Sequence, residues 1–337
     1  MMENQITTPA EYNPVDSPEL ARCLALHSQL AYRGHRKIAD TLKEAGFARL
    51  FAFAAQGNNA FLSEFPVKNG ANIWILTFRG TENDYKDILH DITIFKRTAD
   101  YRHGYRVHGG FLTALQYVWG SWGQPCLSDP NDIYERVGPA GITDIISEQL
   151  KENDKLFVTG HSLGGALGYL AAYFIQRDLP VSVSGLFTFG APRLLDTGMA
   201  KRLNSHRPFP AYRYVNAADI VPRVPLAIMG FRHAGEELYI TTKGKQIADA
   251  GPAVKFKDIG YRKAILFLCV ALVVYAAFGI VGSFENFWLN SITALVAGSL
   301  SLILLPYLFE LMPFSFLSGI KFRAFTDHGI QNYIKNL

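Results

Sequence analysis

Gly160-His161-Ser162-Leu163-Gly164 lies between an apolar, β-like run, Leu156-Phe157-Val158, and a helix start built of small residues, Gly164-Gly165-Ala166-Leu167-Gly168. A chain that passes from strand to helix across so few residues must turn sharply. Its neighbours at that turn can carry no bulky side chain, which accounts for a glycine two positions away on each side of the serine. The following helix would point its N-terminal dipole and free backbone N–H groups at the place where an oxyanion forms. An ordinary strand–helix loop can contain the same letters by chance. The strand–turn–helix flanks favour a displayed serine nucleophile in an α/β sheet.

The rest of the chain supports that architecture. Asp16-Ser17-Pro18-Glu19 reads as a capped helix start, with proline in the first turn and an acid near the positive end of the dipole. That helix is expected over 18–32. Strands are expected at Phe47–Ala55, Ala60–Phe65 and Ile73–Phe78, with turn signals at Gly57-Asn58-Asn59 and Asn69-Gly70. Further strands, at Leu156–Thr159, Gly185–Phe189, Arg213–Val215 and finally Glu237–Thr241, alternate with helical spacing at Gly164–Arg177 and Thr197–Ser205. Helical spacing also marks Gly109–Trp122, Ala140–Glu152 and a short terminal stretch, Asp327–Asn336. Ser121–Gly138, rich in glycine, proline and aspartate, reads as a surface loop. No internal repeat is visible.

Composition breaks near residue 264. Ala264–Phe284 contains no charged residue, and after Glu285 a second uncharged run extends from Asn286 to Phe309. Each exceeds the roughly 20 apolar residues that a helix needs to cross a hydrocarbon core. Together they raise the hydrophobic share of the 337 residues to 49% and the mean hydropathy to +0.08. Two spans return the chain to the side it left, whereas Pro306 and Glu310 would also suit a monotopic hairpin that dips in and comes back. Buried soluble helices are the third reading, although such helices normally carry a polar stripe. Lys255, Lys257, Arg262 and Lys263 precede the runs, and Lys321 and Arg323 follow them, so the rest of the protein is expected on the cytoplasmic face. The sequence thus divides into a catalytic domain over 1–250, a membrane-associated hydrophobic hairpin over 251–323 and a C-terminal segment of the catalytic domain over 324–337.

A formal net charge of +4, without an arginine-rich run or zinc-ligand spacing, gives no support to a nucleic-acid partner. Cys23, Cys126 and Cys269 cannot all pair and suit a reduced compartment. Met1-Met2-Glu3-Asn4-Gln5-Ile6 has no basic n-region or apolar h-region, so secretion through a cleaved signal is not expected.

A serine nucleophile needs a general base, and the base needs an orienting carboxylate. Downstream of Ser162 the histidines are His206, His233 and His328, and the aspartates are Asp178, Asp196, Asp219, Asp249, Asp258 and Asp327. The position of Asp219, just past a strand at a strand–loop boundary, favours it as the acid. Such chemistry calls for no metal or organic cofactor.

Five ordered segments resemble those of the class 3 lipases, the fungal triacylglycerol lipase-like α/β-hydrolases. They are Ile75-Leu76-Thr77-Phe78-Arg79-Gly80-Thr81, Val107-His108-Gly109-Gly110-Phe111, Gly160–Ala166, Thr188-Phe189-Gly190-Ala191-Pro192-Arg193 and Asp219-Ile220-Val221-Pro222-Arg223. The resemblance covers roughly residues 18–241 and resumes at Asp327-His328. It implies an α/β-hydrolase fold with a central, mostly parallel sheet, to which the pair of hydrophobic helices is an insertion. It also implies Ser162 as nucleophile, Asp219 as acid, His328 as base, and Thr81 and Leu163 at the oxyanion hole.

The chain departs from the family between Glu237–Thr241 and His328, where the soluble fungal enzymes have a short connection. His233 is nearer to Asp219 in sequence, but Phe231–Glu236 looks like a structural segment of the family. His161 and His108 are read as packed or hydrogen-bonded residues. Glu82–Arg106 occupies the place of the family's lid, and its mixed apolar and basic character suits a flap at a lipid surface; a solvated helix and loop is the other reading. The resemblance implies a carboxylic ester hydrolase with acyl lipids as substrates, and the two uncharged runs add the expectation of a membrane anchor with the bilayer as partner. An inactive membrane scaffold or acyl-chain binder is the alternative from another class, and a peptidase or thioesterase a third.

Overall fold

The computed structural model describes residues 17–68, 70–81, 96–100, 104–120, 141–255, 257–259 and 327–337. The apolar runs at 264–320, the Ser121–Gly138 loop and most of the expected lid, residues 82–95 and 101–103, lie outside the described residues. Among the described residues no helix is long and apolar enough to cross a membrane.

Twelve strands form two sheets within the described residues. The larger sheet has the order β1 (Arg49–Ala55), β2 (Asn58–Phe65), β3 (Ile73–Phe78), β6 (Lys155–His161), β7 (Val183–Phe189), β9 (Ala211–Asn216), β11 (Glu236–Ile240) and β12 (Gln246–Ala248). Strands β3, β6, β7, β9 and β11 run parallel, while β1, β2 and β12 are antiparallel additions at the edges. Glu237–Thr241 is therefore not the last strand. A turn through Gly244 (φ +78°) lets the three-residue strand Gln246–Ala248 pair back on it.

Helices cover both faces, which explains why a strand such as Ile73-Trp74-Ile75-Leu76-Thr77-Phe78 is apolar throughout rather than alternating. Trp74, Leu76 and Phe78 face α3 (Gly109–Trp119), α4 (Ile142–Gln149), α5 (Leu163–Asp178) and α6 (Thr197–His206). Ile73 and Ile75 face the opposite layer, built by α1 (Pro18–Leu30), α2 (His35–Glu44) and α7 (Ile330–Asn336), together with Phe157, Phe187 and Phe189. Each such fully buried side chain contributes about 1.5–3 kcal/mol. The Ser17 hydroxyl accepts from the Leu20 N–H at 3.2 Å, capping α1 ahead of Pro18 as the sequence suggests.

Two elements were not expected. Helix α2 is short and mostly charged, but Ile38, Ala39 and Leu42 recur on one face and are buried. A second, four-stranded sheet joins β10 (Phe231–Arg232), β8 (Leu195–Asp196), β5 (Tyr105–His108) and β4 (Lys96–Asp100). It corrects the lid expectation: residues 96–100 and 104–106, assigned to the flap, are strand and turn, with Lys96 opposite His108 and Arg97 opposite Val107. The short polar strands lack the apolar run that would reveal them.

The two stems of the 259–327 interval are tied to neighbouring strand ends. Lys255 Nζ pairs with Glu237 Oε1 at 2.7 Å, and the Asp258 carboxylate accepts from the Tyr239 hydroxyl, the Thr242 N–H and the Thr242 hydroxyl at 2.9, 2.8 and 2.8 Å. On the other stem Asp327 Oδ2 accepts from the Ala218 N–H at 3.1 Å, and the Asn216 amide donates to the Asp327 carbonyl at 2.9 Å. Asn216 is the register partner of Ile240 across β9 and β11. The chain therefore leaves and returns at the same carboxyl edge of the sheet.

His27 is wholly buried in α1, its ring 5.2 Å from Phe47 and 6.2 Å from Phe61, with Nδ1–H donating to the Cys23 carbonyl at 3.0 Å. Burial lowers its pKa to about 4 and pushes the neighbouring Cys23 thiol up to about 12. A histidine held neutral in the fold but free to protonate when unfolded supports the fold fully above pH ~6.5, and that support is lost as pH falls toward about 4. Unfolding free energy in urea is therefore expected to fall with a slope of about 1.4 kcal/mol per pH unit from this residue across that window. His27→Leu should flatten the slope by that amount, and identical slopes would show that the ring titrates normally in the fold.

Candidate active site

Ser162 occupies the turn between β6 and α5 with φ +58° and ψ −130°, a region that a non-glycine residue enters only under constraint. The constraint is visible. The Ser162 N–H donates to the Phe189 carbonyl at 2.9 Å, and the Gly165 N–H donates to the Ser162 carbonyl at 3.0 Å. A Cβ on Gly160 would come within 2.3 Å of the Gly164 carbonyl, and one on Gly164 within 2.2 Å of the Phe78 carbonyl oxygen. The flanking glycines thus serve close approach of backbone to backbone. Ser162 Oγ is buried and has no hydrogen-bond partner among the described residues.

Asp219 follows β9 and is fully buried. His328 Nδ1 lies 2.9 Å from its Oδ2 and 3.1 Å from its Oδ1, so the imidazole donates Nδ1–H to the carboxylate and directs Nε2 away from it. Oδ1 also accepts from the Val221 N–H at 2.9 Å, and Oδ2 from the Tyr333 hydroxyl at 2.5 Å. Three donors around one buried carboxylate fix its orientation.

The other candidates have other duties. The His233 ring donates from Nε2 to the Pro222 carbonyl at 2.7 Å, inside the loop that follows Asp219; burial first, then Arg213 and Arg193, hold it neutral. His108 caps α3, its Nδ1 accepting from the Phe111 N–H at 3.4 Å. His206 sits exposed at the end of α6. Among the aspartates, Asp178 pairs with Arg177, Asp196 caps α6, Asp249 accepts from the Glu237 N–H, and Asp258 and Asp327 fasten the stems. Thr81 lies one residue past Gly80, whose added Cβ would be 3.2 Å from Ser162 Cβ. Leu163 opens α5 beside the serine. Among the described residues no cluster of three histidine, cysteine or acidic side chains could hold a metal ion.

Sequence reasoning missed two participants. Tyr333 sits in α7, five residues after His328; only the fold turns its hydroxyl onto Asp219, where it also accepts from the Asn216 N–H at 3.1 Å. Burial, then the Asp219 charge, raises its pKa well above the usual phenol value, so it remains a donor. Gly190, within the Thr188–Arg193 motif, adopts φ +63°. A Cβ there would lie 2.8 Å from Asp219 Oδ2 and 3.0 Å from His328 Nδ1. Gly190→Ala is therefore expected to prise the pair apart and cut kcat about 100-fold, the penalty of a displacement approaching 1 Å. An unchanged kcat would show that the pair yields without cost.

Residues 75–229 match the class 3 lipase family model. A lipase of Rhizopus niveus is 33% identical over 190 residues, covering 54% of this chain and 42% of the relative, so the chain spans about two fifths of that protein's length. A secreted mono- and diacylglycerol lipase of Malassezia restricta is 25% identical over 235 residues, covering 67% of this chain and 71% of the relative. The solved triacylglyceride lipase of Rhizomucor miehei is similar at a TM-score of 0.52 with 26% identity, covering 68% of this chain and 82% of that one.

Proposed function

We propose that the chain is a member of the class 3 lipase family, a serine hydrolase that cleaves the carboxylic ester bonds of acyl lipids while anchored to a membrane. In this reading Ser162 Oγ attacks the ester carbonyl as His328 Nε2 takes its proton. Asp219 holds the imidazole in the Nδ1–H tautomer and stabilises the imidazolium that forms. Backbone N–H groups of Thr81 and Leu163 receive the oxyanion. The imidazolium then protonates the departing alcohol, and water repeats the sequence to release the fatty acid.

The observation that carries the reading is the fully buried Asp219–His328 pair, 2.9 Å apart and oriented by Tyr333 and the Val221 N–H, in a fold that also displays a strained serine. Acylglycerols are the favoured substrates because the relatives described above act on mono-, di- and triacylglycerols. The deciding experiment treats the full-length protein with a fluorophosphonate and with dispersed mono-, di- and triacylglycerols. Adduct on the peptide bearing Ser162, with release of fatty acid, supports the reading; labelling without lipid turnover would leave a serine hydrolase of another substrate class, and neither labelling nor turnover would leave an inactive acyl binder.

The anchor rests on the two uncharged runs and their basic flanks. Because the stems at Lys255–Asp258 and Asp327 meet the sheet beside the Asp219 loop, a hairpin over 264–320 brings the bilayer to the rim of the site. Lys255 is engaged by Glu237, leaving Lys257, Arg262, Lys263, Lys321 and Arg323 for anionic headgroups, each contributing about 1 kcal/mol. Replacing residues 264–320 with a short polar linker is expected to release the protein from liposomes and to cut activity on bilayer lipid far more than on a short-chain soluble ester. Unchanged liposome binding would refute the anchor.

A further inference from the structure

His161 immediately precedes the nucleophile, and its side chain is buried. Its two ring nitrogens are both engaged: Nε2 is 2.7 Å from the His328 carbonyl oxygen, and Nδ1 is 2.8 Å from the Tyr32 hydroxyl. A carbonyl oxygen can only accept, so Nε2 carries the hydrogen. The neutral ring then presents a lone pair at Nδ1, and the Tyr32 hydroxyl must donate to it. Burial, followed by the adjacent His328, keeps the His161 pKa well below the ordinary histidine value, in agreement with that tautomer. The Tyr32 oxygen packs against Gly80, so closely that a Cβ there would fall 2.1 Å from it.

Both hydrogen bonds therefore point one way, from the Tyr32 hydroxyl through His161 to the carbonyl of His328, and the Tyr32 oxygen itself rests on Gly80. Gly80 is joined to Thr81, and His328 is the base, so the chain's ends are the two parts that must hold a fixed separation during reaction. The His161 ring also lies 4.6 Å from the His328 ring, where a second cation would oppose formation of the imidazolium. We propose that Tyr32 and His161 are positioning residues, linked in one directional hydrogen-bond chain that sets the oxyanion strand end against the backbone of the base. The proposal rests on the reading of Ser162, Asp219 and His328 as a hydrolytic triad. A chain with every donor aligned is mutually polarising, and it stays ordered only while each member is satisfied.

The test uses the full-length protein in detergent micelles with a short-chain ester, and kcat is expressed per fluorophosphonate-titrated site so that unfolded protein is not counted. Tyr32→Phe keeps the ring and removes the link. It is expected to lower kcat about 10- to 100-fold with KM within about twofold, as for a misplacement of reacting groups. His161→Leu should do at least as much harm. His161→Gln, whose amide can still donate to the His328 carbonyl, should recover part of kcat, whatever its melting temperature. Equal kcat for the wild type and Tyr32→Phe, a loss confined to KM, or equal kcat for His161→Gln and His161→Leu would each overturn the proposal. Nitrogen-15 spectra of the labelled histidines give a reading independent of turnover: a neutral His161 protonated on Nε2 supports the chain, and protonation on Nδ1 overturns it. A wild type that neither labels nor hydrolyses ester would instead sink the triad reading, leaving the spectra to judge the hydrogen-bond chain.

Discussion

Ser162→Ala is expected to lower kcat by about 10⁴- to 10⁶-fold, the range seen when a triad nucleophile is removed, while the melting temperature stays level or rises. The two halves of that outcome have separate causes. The Oγ atom is buried without a hydrogen-bond partner among the described residues, so the fold loses no bond with it. A buried hydroxyl left unsatisfied costs about 1–3 kcal/mol, and alanine removes that cost without opening a cavity of any size. The backbone strain at φ +58° remains, since alanine is no more at ease there than serine. A site that carries strain and an unsatisfied group for the sake of its chemistry should gain stability when the chemistry is deleted. Steady-state hydrolysis, fluorophosphonate labelling and thermal denaturation of the same preparation check both halves. Ester turnover above background in the variant would remove Ser162 from the mechanism.

His328→Ala should lower kcat by at least about 10⁴-fold, because it deletes the proton acceptor and leaves the Asp219 carboxylate nothing to orient. Asp219 would keep the Tyr333 hydroxyl and the Val221 N–H, so the folded state should survive with a moderate loss. His233→Ala is the paired control. Its imidazole donates to the Pro222 carbonyl and packs near Arg193 and Arg213, so its removal should cost about 1–3 kcal/mol of stability and leave kcat within about tenfold. The comparison is read from kcat at a temperature where both variants are folded and from their urea midpoints. A reversed pair of outcomes would make His233 the base and the Asp219–His328 contact structural.

The class of the fold was legible because strand and helix periods are local. The apolar runs at Ile73–Phe78, Leu156–Thr159 and Gly185–Phe189, separated by helical spacing, already argued for an α/β sheet, and the glycines around Ser162 demanded a tight turn. Lys96–Asp100 and Tyr105–His108 stayed hidden because short polar strands owe their existence to partners: Val107 pairs with Leu195, far along the chain. Helix α2 escaped for a related reason, its burial resting on only three apolar side chains.

At the candidate site, residue types and their order were readable, and so was the oddity of two uncharged runs placed before the last histidine. By itself the sequence determined that a serine stands on a constrained elbow, with an aspartate at a strand end and a histidine near the C-terminus. Which aspartate meets which histidine was decided only by tertiary structure. Asp219 and His328 are 109 residues apart; a strand-end position favoured Asp219 among six aspartates, but no local pattern places its carboxylate against a particular ring. The same holds for Tyr333, for the absence of a side chain at Gly190, and for the orientation of His161 between Tyr32 and the His328 carbonyl. Local patterns encode what a segment can become, through the period of its side chains and the freedom of its backbone. Contacts between distant segments depend on how the sheet brings its strand ends together, and that arrangement exists only once the core on both faces has packed.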